Sequence, residues 1–438
     1  MAEEHRHRQG PKGRQHLAGG DRREPPESVP SEYEPRRGDR KGAIGVGLSH
    51  VDLTELREKG LLRRLRALPD TGPRIELPDG RAVLNLSSND YLNLAGDERV
   101  KAAAIEAVGR LGCSARASRL MAGDLELCER LEADLARLMA AEAALVLGSG
   151  FLTNLGVLTA IAGRGDEIFA DRLNHASLTD AMQLSGARWH RYRHRDAGHL
   201  ESLLKKADGA GRRIVVTDSI FSMDGDRAPL AEIAAVARRF DALLMVDEAH
   251  AIGVFGRGGG GLCRESDCDV RPDFVVGTMS KSLGGYGGFV GCSKASRELL
   301  INRARSFIYS TGLPPACLGA AKAAVGIVAS EPDLGPRLLA KAQRLRQRLE
   351  SGGLDVVATE SQILPVHVGG NDEAVRLSGM LWDRGVLATA VRPPTVPAGT
   401  ARLRLSVTLG HADEQLDAAA DTIIQAAREI PGIAIPGW

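Results

Sequence analysis

Lys281 lies in a sequence context that suits a reactive amine. The apolar run from Phe274 to Val276 predicts a buried strand, which is followed by GTMSKS and the glycine pair at 284–285. The strand would fix the position of the lysine, and the glycines would let a ligand approach the backbone. A free lysine, with a pKa of about 10.4, is mostly protonated at neutral pH, and conversion to an imine with an aldehyde removes that obstacle. The alternative for this stretch alone is a surface lysine after a strand.

Hydroxyl groups and a helix start offer sites for a phosphate. Three hydroxyl residues flank the lysine, namely Thr278, Ser280 and Ser282. A second stretch, SGFLTN (149–154), joins a predicted strand to a helix, where free backbone N–H groups carry about half a positive charge and favour an anion. Gly150 allows close approach there, while Phe151 is either part of the site or a core residue.

An acidic residue and a histidine end another apolar run, in VDEAH (246–250). An acidic pair at a strand end also occurs in helicase-type nucleotide hydrolases, but those need GxxxxGK[ST] upstream, and the sequence has no such stretch. Asp247 is then either half of a structural ion pair or a carboxylate that keeps a pyridine nitrogen protonated, with His250 in reach of the ring hydroxyl. The 34 residues from Asp247 to Lys281 have room for one helix and one strand, so both side chains could meet at one sheet edge.

Two more polar residues follow predicted strands. DRLNHASL (171–178) places His175 at a strand-to-helix turn, where a histidine is either structural or stacks on an aromatic ring. FSMDGD (221–226) offers the Ser222 hydroxyl as a donor, or an acidic turn that only closes a loop. Each is weak evidence by itself, and their shared position after strands is the stronger signal.

The middle of the chain alternates apolar runs with helical patterns. The runs are AALVL (143–147), EIFA (167–170), IVVT (214–217), ALLMV (242–246) and DFVV (273–276). Because these runs are apolar throughout, they predict a parallel sheet covered by helices on both faces, with ligands beyond the carboxyl ends of the strands. Helices are expected at 53–68, 97–110, 125–140, 152–162, 175–185, 198–207, 228–240, 315–329, 337–350 and 413–429. Short strands are expected at the start of the stretch 81–96, before a polar turn, and at 363–368, 385–391 and 401–407.

Composition limits the class of protein. The 438 residues are 43% hydrophobic and 26% charged, which is enough for a large core and more than one domain. A net charge of +1 gives no electrostatic reason to expect nucleic-acid binding. Six cysteines lie scattered without CxxC pairs, which favours the cytoplasm over a disulfide framework, and no metal site is predicted. No run of 18 apolar residues and no secretory signal is present, so no membrane association is expected.

The N-terminal segment differs from the rest of the chain. Residues 1–42 carry ten Lys and Arg and eight Asp and Glu with almost no apolar residues, so a disordered tail is expected, and its deletion should leave activity intact. The predicted division of the chain is a tail at 1–45, an N-terminal arm with a small-domain segment at 46–95, a large cofactor-binding domain at 96–330 and a small α/β domain at 331–438.

Eight stretches taken together resemble the α-oxoamine synthases, enzymes of fold type I that depend on pyridoxal 5'-phosphate (PLP). In chain order they are NLSSNDYL, SGFLTN, DRLNHASL, FSMDGDRAPL, VDEAH, GTMSKSLGGYGGF, IYSTGLPP and RPPTVPAGTARLRLS. Several are weak singly, but their order and number, from about residue 53 to 430, make the resemblance specific. It implies a large, mostly parallel sheet domain, a small C-terminal α/β domain and a homodimer with its active site at the interface.

The resemblance implies cofactor roles for particular residues. Lys281 would form the Schiff base and act as general base, Asp247 would hold the pyridinium, and His175 would stack on the ring and face the substrate. The other residues of the cofactor site would be Gly150, Phe151, Ser222, His250 and Thr278.

The resemblance also implies where the substrates bind. Asn89, Arg392 and Arg404 would receive the substrate carboxylate, since a guanidinium fork matches that group. Arg63 and Thr395 would lie near the acyl substrate. Ser310 and Thr311 would be donated across the dimer to the partner's phosphate.

The final motif, RPPTVPAGTARLRLS (392–406), is most similar to members that condense L-alanine with pimeloyl-CoA or pimeloyl-acyl carrier protein, losing CO2, in biotin biosynthesis. Three alternatives remain: a sister enzyme joining glycine to acetyl- or succinyl-CoA or serine to a long acyl chain, an inactive partner subunit, and a nucleic-acid binder acting through the basic tail. Two departures from the family pattern, a glycine-poor loop at 112–124 and Cys128 in place of a histidine, could alter acyl access or dimer packing.

Overall fold

A seven-stranded sheet forms the centre of the fold in the computed structural model, which describes residues 53–265, 270–357 and 359–433. The strands are β1 (Arg74–Glu76), β2 (Ala82–Asn85), β3 (Ala143–Leu147), β4 (Glu167–Asp171), β5 (Arg188–Tyr192), β6 (Arg213–Asp218), β7 (Ala242–Asp247), β8 (Phe274–Thr278), β9 (Gly288–Cys292), β10 (Ile363–Gly369), β11 (Val386–Leu387), β12 (Thr389–Val391) and β13 (Ala401–Ser406). The large sheet has the order β3-β9-β8-β7-β6-β4-β5. Its strands β5, β4, β6, β7 and β8 are parallel, and β9 runs antiparallel to both neighbours.

Helices cover both faces of this sheet. They are α1 (Leu53–Glu58), α2 (Glu98–Leu111), α3 (Glu126–Met139), α4 (Gly150–Ile161), α5 (Ala176–Ser185), α6 (Ala197–Lys206), α7 (Leu230–Arg239), α8 (Lys294–Arg303), α9 (Arg305–Ile308), α10 (Pro315–Ser330), α11 (Leu334–Ser351), α12 (Asn371–Asp383) and α13 (Asp413–Arg428). Two of them begin at the carboxyl ends of strands and are capped by side chains, α4 by Ser149 and α5 by His175.

Alternate residues of the inner strands pack into two separate cores. In β4, Ile168 belongs to the core on one face and Phe169 to the core on the other. In β6, Ile214 and Val215 divide in the same way, and all four side chains are fully buried. Burial on both faces explains why these strands are apolar throughout, and the predicted α/β class with a large, mostly parallel sheet is confirmed.

Two strands of the large sheet were not predicted. The edge strand β5 has the sequence RWHRY, whose polar residues resemble a loop. The antiparallel strand β9 has the sequence GFVGC, and its two glycines weaken the strand signal. Gly288 needs to be small because a Cβ there would come within 2.4 Å of the Ser149 backbone.

The predicted helix at 53–68 is wrong beyond Glu58, where α1 ends. Gly60 follows with φ of +62°, a conformation that terminates helices. Beyond it the chain is held by tertiary contacts, because the Arg392 guanidinium donates to the carbonyl oxygens of Gly60 and Leu62. These contacts override a helical pattern that was visible in the sequence.

The predicted helix between Asp247 and Lys281 is absent from the described part of that connection. Two short 3₁₀ turns, Arg257–Gly259 and Leu262–Arg264, stand in its place. The buried Glu248 carboxylate accepts the backbone N–H groups of Leu262 and Cys263, which binds the connection back to the sheet. Positive φ angles at Gly256, Gly258, Gly259 and Gly261 permit this irregular path.

Two three-stranded sheets complete the described architecture, with the orders β1-β2-β11 and β10-β13-β12. The parallel pairing of β11 with β2 joins an early segment to a late one. The predicted domain boundaries stay predictions, and the predicted tail at 1–45 lies outside the described residues. No helix in the described ranges has both the length and the apolar character needed to cross a membrane.

Candidate active site

Two cavities meet at the carboxyl ends of the parallel strands. The larger, of about 360 Å³, is lined by Arg63, Ser87, Asn89, His175, Ser222, Met223, His250, Lys281, Thr389, Ala390, Val391, Arg392, Thr395 and Arg404. The smaller, of about 200 Å³, is lined by Gly150, Phe151, Asn154, His175, Ser177, Asp218, Ser222, Asp247, Ala249, His250, Thr278, Ser280 and Lys281. The two cavities share the lining residues His175, Ser222, His250 and Lys281. Ligands bound in the two cavities would therefore meet beside the lysine.

Lys281 follows β8, as expected, and its amine lies at the junction of the cavities. The Nζ atom is 2.8 Å from Nε2 of His250. Burial lowers the pKa of the Lys281 amine to about 8, although the charge of Asp247 acts in the opposite direction. The amine is therefore partly neutral near physiological pH, which a nucleophile or a general base requires.

His250 connects the lysine to two further hydrogen-bonding side chains. Its Nδ1 is 2.7 Å from the hydroxyl of Tyr91, which lies 3.1 Å from the Asn89 side-chain oxygen. Burial lowers the pKa of His250 well below its ordinary value, and the positive charges of Lys281 and Arg404 lower it further. A neutral ring that accepts a hydrogen bond from Lys281 at Nε2 must carry its proton on Nδ1, so it donates to Tyr91.

Asp247 ends β7 beneath the smaller cavity and is held on both oxygens. Its Oδ2 accepts a hydrogen bond of 2.6 Å from the Asn154 amide, and its Oδ1 accepts the backbone N–H of Ala249 at 2.9 Å. Asp218 is its register partner on the neighbouring strand β6. Burial raises the pKa of Asp218 well above its ordinary value, and the charge of Asp247 raises it further. Two carboxylates thus lie side by side at the ends of β6 and β7.

His175 caps helix α5 at the edge of the smaller cavity. Its Nδ1 is 2.7 Å from the Ser177 hydroxyl, and its backbone N–H donates to Oδ2 of Asp218 at 2.8 Å. Desolvation lowers the pKa of His175, while Asp247 raises it. The imidazole is exposed to the cavity, which a ring that stacks on a planar ligand requires.

The start of α4 offers backbone donors to the smaller cavity. Among the described residues, no acceptor is assigned to the backbone N–H groups of Gly150 and Phe151. Phe151 itself is 43% exposed, so the core alternative for this residue is wrong. A Cβ at position 150 would come within 3.3 Å of the Thr278 Cβ, so glycine keeps this edge open.

These groups fit PLP. An amine with a lowered pKa can meet its aldehyde, a charged carboxylate can meet its pyridine nitrogen, and a helix N-terminus can meet its phosphate. The amine, the carboxylate and the helix N-terminus all line one cavity, although the residues of that cavity come from β7, β8 and the starts of α4 and α5. Sequence-predicted cofactor residues all line this cavity, and their individual roles stay predictions.

Arg404 extends from β13 into the larger cavity. It is 8% exposed, and no ion-pair partner is found for it among the described residues. Its guanidinium donates instead to the carbonyl oxygen of Ser222 at 2.6 Å, to the Asn89 side chain at 3.3 Å and to the Ser406 hydroxyl at 2.8 Å. A buried arginine bound only to neutral groups keeps its positive charge available to an anionic ligand.

Arg63, Arg392 and Thr395 lie together at the mouth of the larger cavity. Arg63 donates to the Thr395 hydroxyl at 3.4 Å, and Arg392 donates to two backbone carbonyls. Burial lowers the pKa of Arg392, and the charge of Arg63 lowers it further. Arg63 and Arg392 thus resemble Arg404 in that their guanidinium groups donate to neutral oxygens.

Some predicted residues lie elsewhere, and some residues of the site were missed. Ser282 is buried beside Gly253 and lines neither cavity. Ser310 and Thr311 line a separate small cavity next to Arg119 and Cys128. The residues missed were Tyr91, Asn154, Ser177 and Asp218. All four fall inside or beside motifs quoted above, but their contacts depend on tertiary structure.

Comparisons with known proteins agree with this geometry. A model of the family "Aminotransferase class I and II" matches residues 81–423. The 8-amino-7-oxononanoate synthase of Geobacter sulfurreducens is 45% identical over 381 residues, 86% of this chain and 97% of the relative. The protein of the same name from Geotalea daltonii is 45% identical over 385 residues, again 86% and 97%.

A solved structure of a related protein has a similar fold. A variant of serine palmitoyltransferase from S. paucimobilis, in a structure with a bound PLP–myriocin aldimine, is 29% identical with a TM-score of 0.81, covering 86% of this chain and 96% of that chain. The range matched by the family model contains the large sheet and every residue that lines the smaller cavity.

Proposed function

The chain belongs to the aminotransferase class I and II family and, within it, to the α-oxoamine synthases, and on that premise we propose that it condenses L-alanine with a pimeloyl thioester. The reaction joins Cα of alanine to the thioester carbonyl carbon, takes up one proton, and releases the thiol and CO2. Its product, 8-amino-7-oxononanoate, is the compound in the names of the curated relatives, and it places the enzyme in biotin biosynthesis.

The observation that carries the proposal is the junction of the two cavities at Lys281. The smaller cavity holds the groups that fit PLP, and the larger holds a buried arginine without an ion-pair partner in the described residues. An amino acid whose carboxylate met Arg404 would present its Cα region near Lys281, since both residues line the same cavity.

Lys281 is the group we assign to proton transfer. PLP, the cofactor of this family, supplies an electron sink for negative charge that develops at Cα of the bound amino acid. With a pKa of about 8, roughly a tenth of the Lys281 amine is neutral at pH 7. The neutral amine can accept the Cα proton, and the adjacent neutral His250 orients it through the 2.8 Å contact.

Asp247 provides the fixed negative charge of the site. Its two hydrogen bonds, from Asn154 and from the Ala249 backbone, hold the carboxylate in one orientation. A carboxylate in this place keeps a pyridine nitrogen protonated, which strengthens the electron sink.

The larger cavity would orient both substrates. Arg404 and Asn89, which contact each other at 3.3 Å, would bind the alanine carboxylate. Arg63, Arg392 and Thr395 lie further out and would meet the acyl substrate. Coenzyme A or an acyl carrier protein would supply the thiol that carries the pimeloyl group.

We further propose a homodimer with its active site at the interface and a cytoplasmic location. Two large side chains in the segments that adjoin the cavity of Ser310 and Thr311, Met121 and Tyr309, are 82% and 71% exposed, which supports a contact with a second subunit. Ser310 and Thr311, which lie outside both cavities of their own chain, would then reach the partner's phosphate. Free thiols at Cys113, Cys128, Cys292 and Cys317 support a reducing compartment.

Thiol release by the purified, PLP-loaded protein tests the proposal. L-Alanine and glycine would each be offered with pimeloyl-, acetyl- and succinyl-CoA, and with pimeloyl-acyl carrier protein. Release confined to L-alanine with a pimeloyl donor is expected. Release with glycine and a short acyl donor would overturn the substrate assignment but keep the family, since one methyl group is worth only about 1–3 kcal/mol of discrimination.

A further inference from the structure

A buried chain of hydrogen bonds connects His175 to Asp247. The Asn154 amide donates to Oδ2 of Asp247 at 2.6 Å and to the Ser177 hydroxyl at 2.9 Å. The Ser177 hydroxyl is in turn 2.7 Å from Nδ1 of His175. Asn154 and Ser177 are 1% and 0% exposed, so water does not compete for these contacts.

The Asn154 amide can take only one orientation in this chain. Its Nδ2 supplies one hydrogen to each of two oxygens, which uses both of its donors. Its Oδ1 is buried and has no hydrogen-bond partner in the described structure. Reversing the amide would place that oxygen against the Asp247 carboxylate and the Ser177 oxygen, so the charge of Asp247 fixes the amide.

The orientation of Asn154 determines the direction of the Ser177 hydroxyl. Because the Ser177 oxygen accepts from Asn154, its own hydrogen is free to donate, and Nδ1 of His175 is the acceptor at 2.7 Å. The backbone N–H of Ser177 donates to the same nitrogen at 3.3 Å. Two donors converge on Nδ1, which therefore presents its lone pair and carries no proton.

We propose that Ser177 is a positioning residue that keeps the neutral His175 ring in the form protonated at Nε2. Asn154 links the Ser177 hydroxyl to Asp247, so one hydrogen-bond network orients both the Asp247 carboxylate and the His175 imidazole. Nε2 is on the ring edge opposite Ser177, and His175 lines both cavities. His175 is thereby a fixed hydrogen-bond donor to an anionic ligand, and proton acceptance is left to Lys281.

The inference rests on the proposed function only for the ligand that Nε2 would meet, because the position of the proton can be measured without turnover. The charged groups that face the ring are Asp247 and Asp180, which favour its protonated form, and Lys281, which disfavours it. Substitution of Ser177 alters none of them. Asp218 contacts the His175 backbone and is also unchanged.

The test is nitrogen NMR of the PLP-loaded protein labelled with ¹⁵N-histidine, with the His175 signals identified by their loss in His175→Gln. The wild-type protein should show a protonated Nε2 and an unprotonated Nδ1, and a proton on Nδ1 would overturn the proposal. In Ser177→Ala the Nδ1-protonated form should appear, and the pKa of His175 should rise by about one unit, the size of one hydrogen bond.

A matched control removes a different hydroxyl from the same helix. Ser185 donates to the carbonyl oxygen of Met182 at 2.7 Å, near the far end of α5, so Ser185→Ala should leave the His175 signals unchanged. Ser177→Thr, which keeps a hydroxyl, should restore the wild-type form. A His175 tautomer and pKa that stay the same in Ser177→Ala would contradict the proposal, and the wild-type spectrum decides the tautomer even if this variant does not fold.

Discussion

The Nζ atom of Lys281 lies 2.8 Å from Nε2 of His250, and His250 contacts the Tyr91 hydroxyl at 2.7 Å on its other side. Because His250 is buried and neutral, it accepts from the lysine without adding a positive charge to the site. The lysine amine is therefore held in one place while its pKa stays near 8. Because a pKa near 8 lies in an accessible pH range, the pH dependence of cofactor attachment to Lys281 can be measured.

PLP should attach to the cofactor-free protein faster as pH rises, with a half-maximal rate constant near pH 8. The neutral amine is the attacking form, and burial lowers the pKa of Lys281 to about 8, so the reactive fraction grows through that pH. Stopped-flow absorbance between pH 6.5 and 9.5 measures this rate. Lys281→Ala should abolish the covalent link, Lys294→Ala should retain it, and a midpoint near 10 would contradict the burial effect.

Asp247→Asn should lower kcat by about 100-fold while PLP still attaches to Lys281. Loss of the carboxylate removes an opposite charge, whose effect on a neighbouring pKa is about 1–3 units. Steady-state kinetics measures the loss, and borohydride trapping followed by mass spectrometry measures attachment. Asp241→Asn serves as the control, because this exposed residue lies just before β7, at the opposite end of the strand from Asp247. Unchanged turnover in Asp247→Asn would remove Asp247 from the mechanism.

Arg404→Lys should raise KM for L-alanine by about 10- to 100-fold, since a hydrogen bond to a charged group contributes about 1.5–3 kcal/mol. Lysine keeps the charge but loses the planar fork that contacts Asn89 and could bind a carboxylate at the same time. Arg348→Lys, at an exposed ion pair with Asp421, should leave KM unchanged. A wild-type KM in Arg404→Lys would place the alanine carboxylate elsewhere.

His194 should stabilise the fold below neutral pH and lose that effect in alkali. Both ring nitrogens contact carboxylates, Asp171 at 3.0 Å and Asp226 at 2.8 Å, and these raise the pKa of His194 to about 9 against the opposing effect of burial. A folded pKa above the unfolded value of about 6.5 gives stabilisation that is complete below pH 6.5 and disappears as pH rises through about 9.

The measurement is urea unfolding of wild type and His194→Gln at pH 6.0 and pH 9.8. The variant should be less stable by about 2 kcal/mol at pH 6.0, and the difference should shrink at pH 9.8. His367→Gln, at a longer and more exposed contact with Asp355, should show a small difference at both pH values. An equal loss of unfolding free energy in His194→Gln at both pH values would show that packing, not charge, explains the effect of His194.

The sequence predicted the parts of this fold that depend on local pattern. The strands of the large sheet from β3 to β8, except β5, were visible because burial on both faces makes each one an apolar run. Because the predicted sheet is parallel, the polar residues after those strands could be assigned to one edge of it. Lys281, Asp247 and His175 were found from that rule together with the family resemblance.

What the sequence could not provide depends on contacts between distant segments. The helix after Leu53 stops early because Arg392 binds the backbone beyond it. Glu248, next to a predicted site residue, holds the glycine-rich connection in place of the expected helix. The hydrogen-bond chain through Asn154 and Ser177 joins helices α4 and α5 to the end of β7, so no local pattern could reveal it.

The most direct test of the central claim follows the carboxyl carbon of alanine. L-[1-¹³C]alanine would be supplied to the PLP-loaded protein with and without pimeloyl-CoA or pimeloyl-acyl carrier protein, and ¹³CO₂ would be measured beside the product mass. We predict ¹³CO₂ and 8-amino-7-oxononanoate in equal amounts, both dependent on a pimeloyl donor. Label retained in the product, or ¹³CO₂ released without any acyl donor, would contradict a decarboxylative condensation.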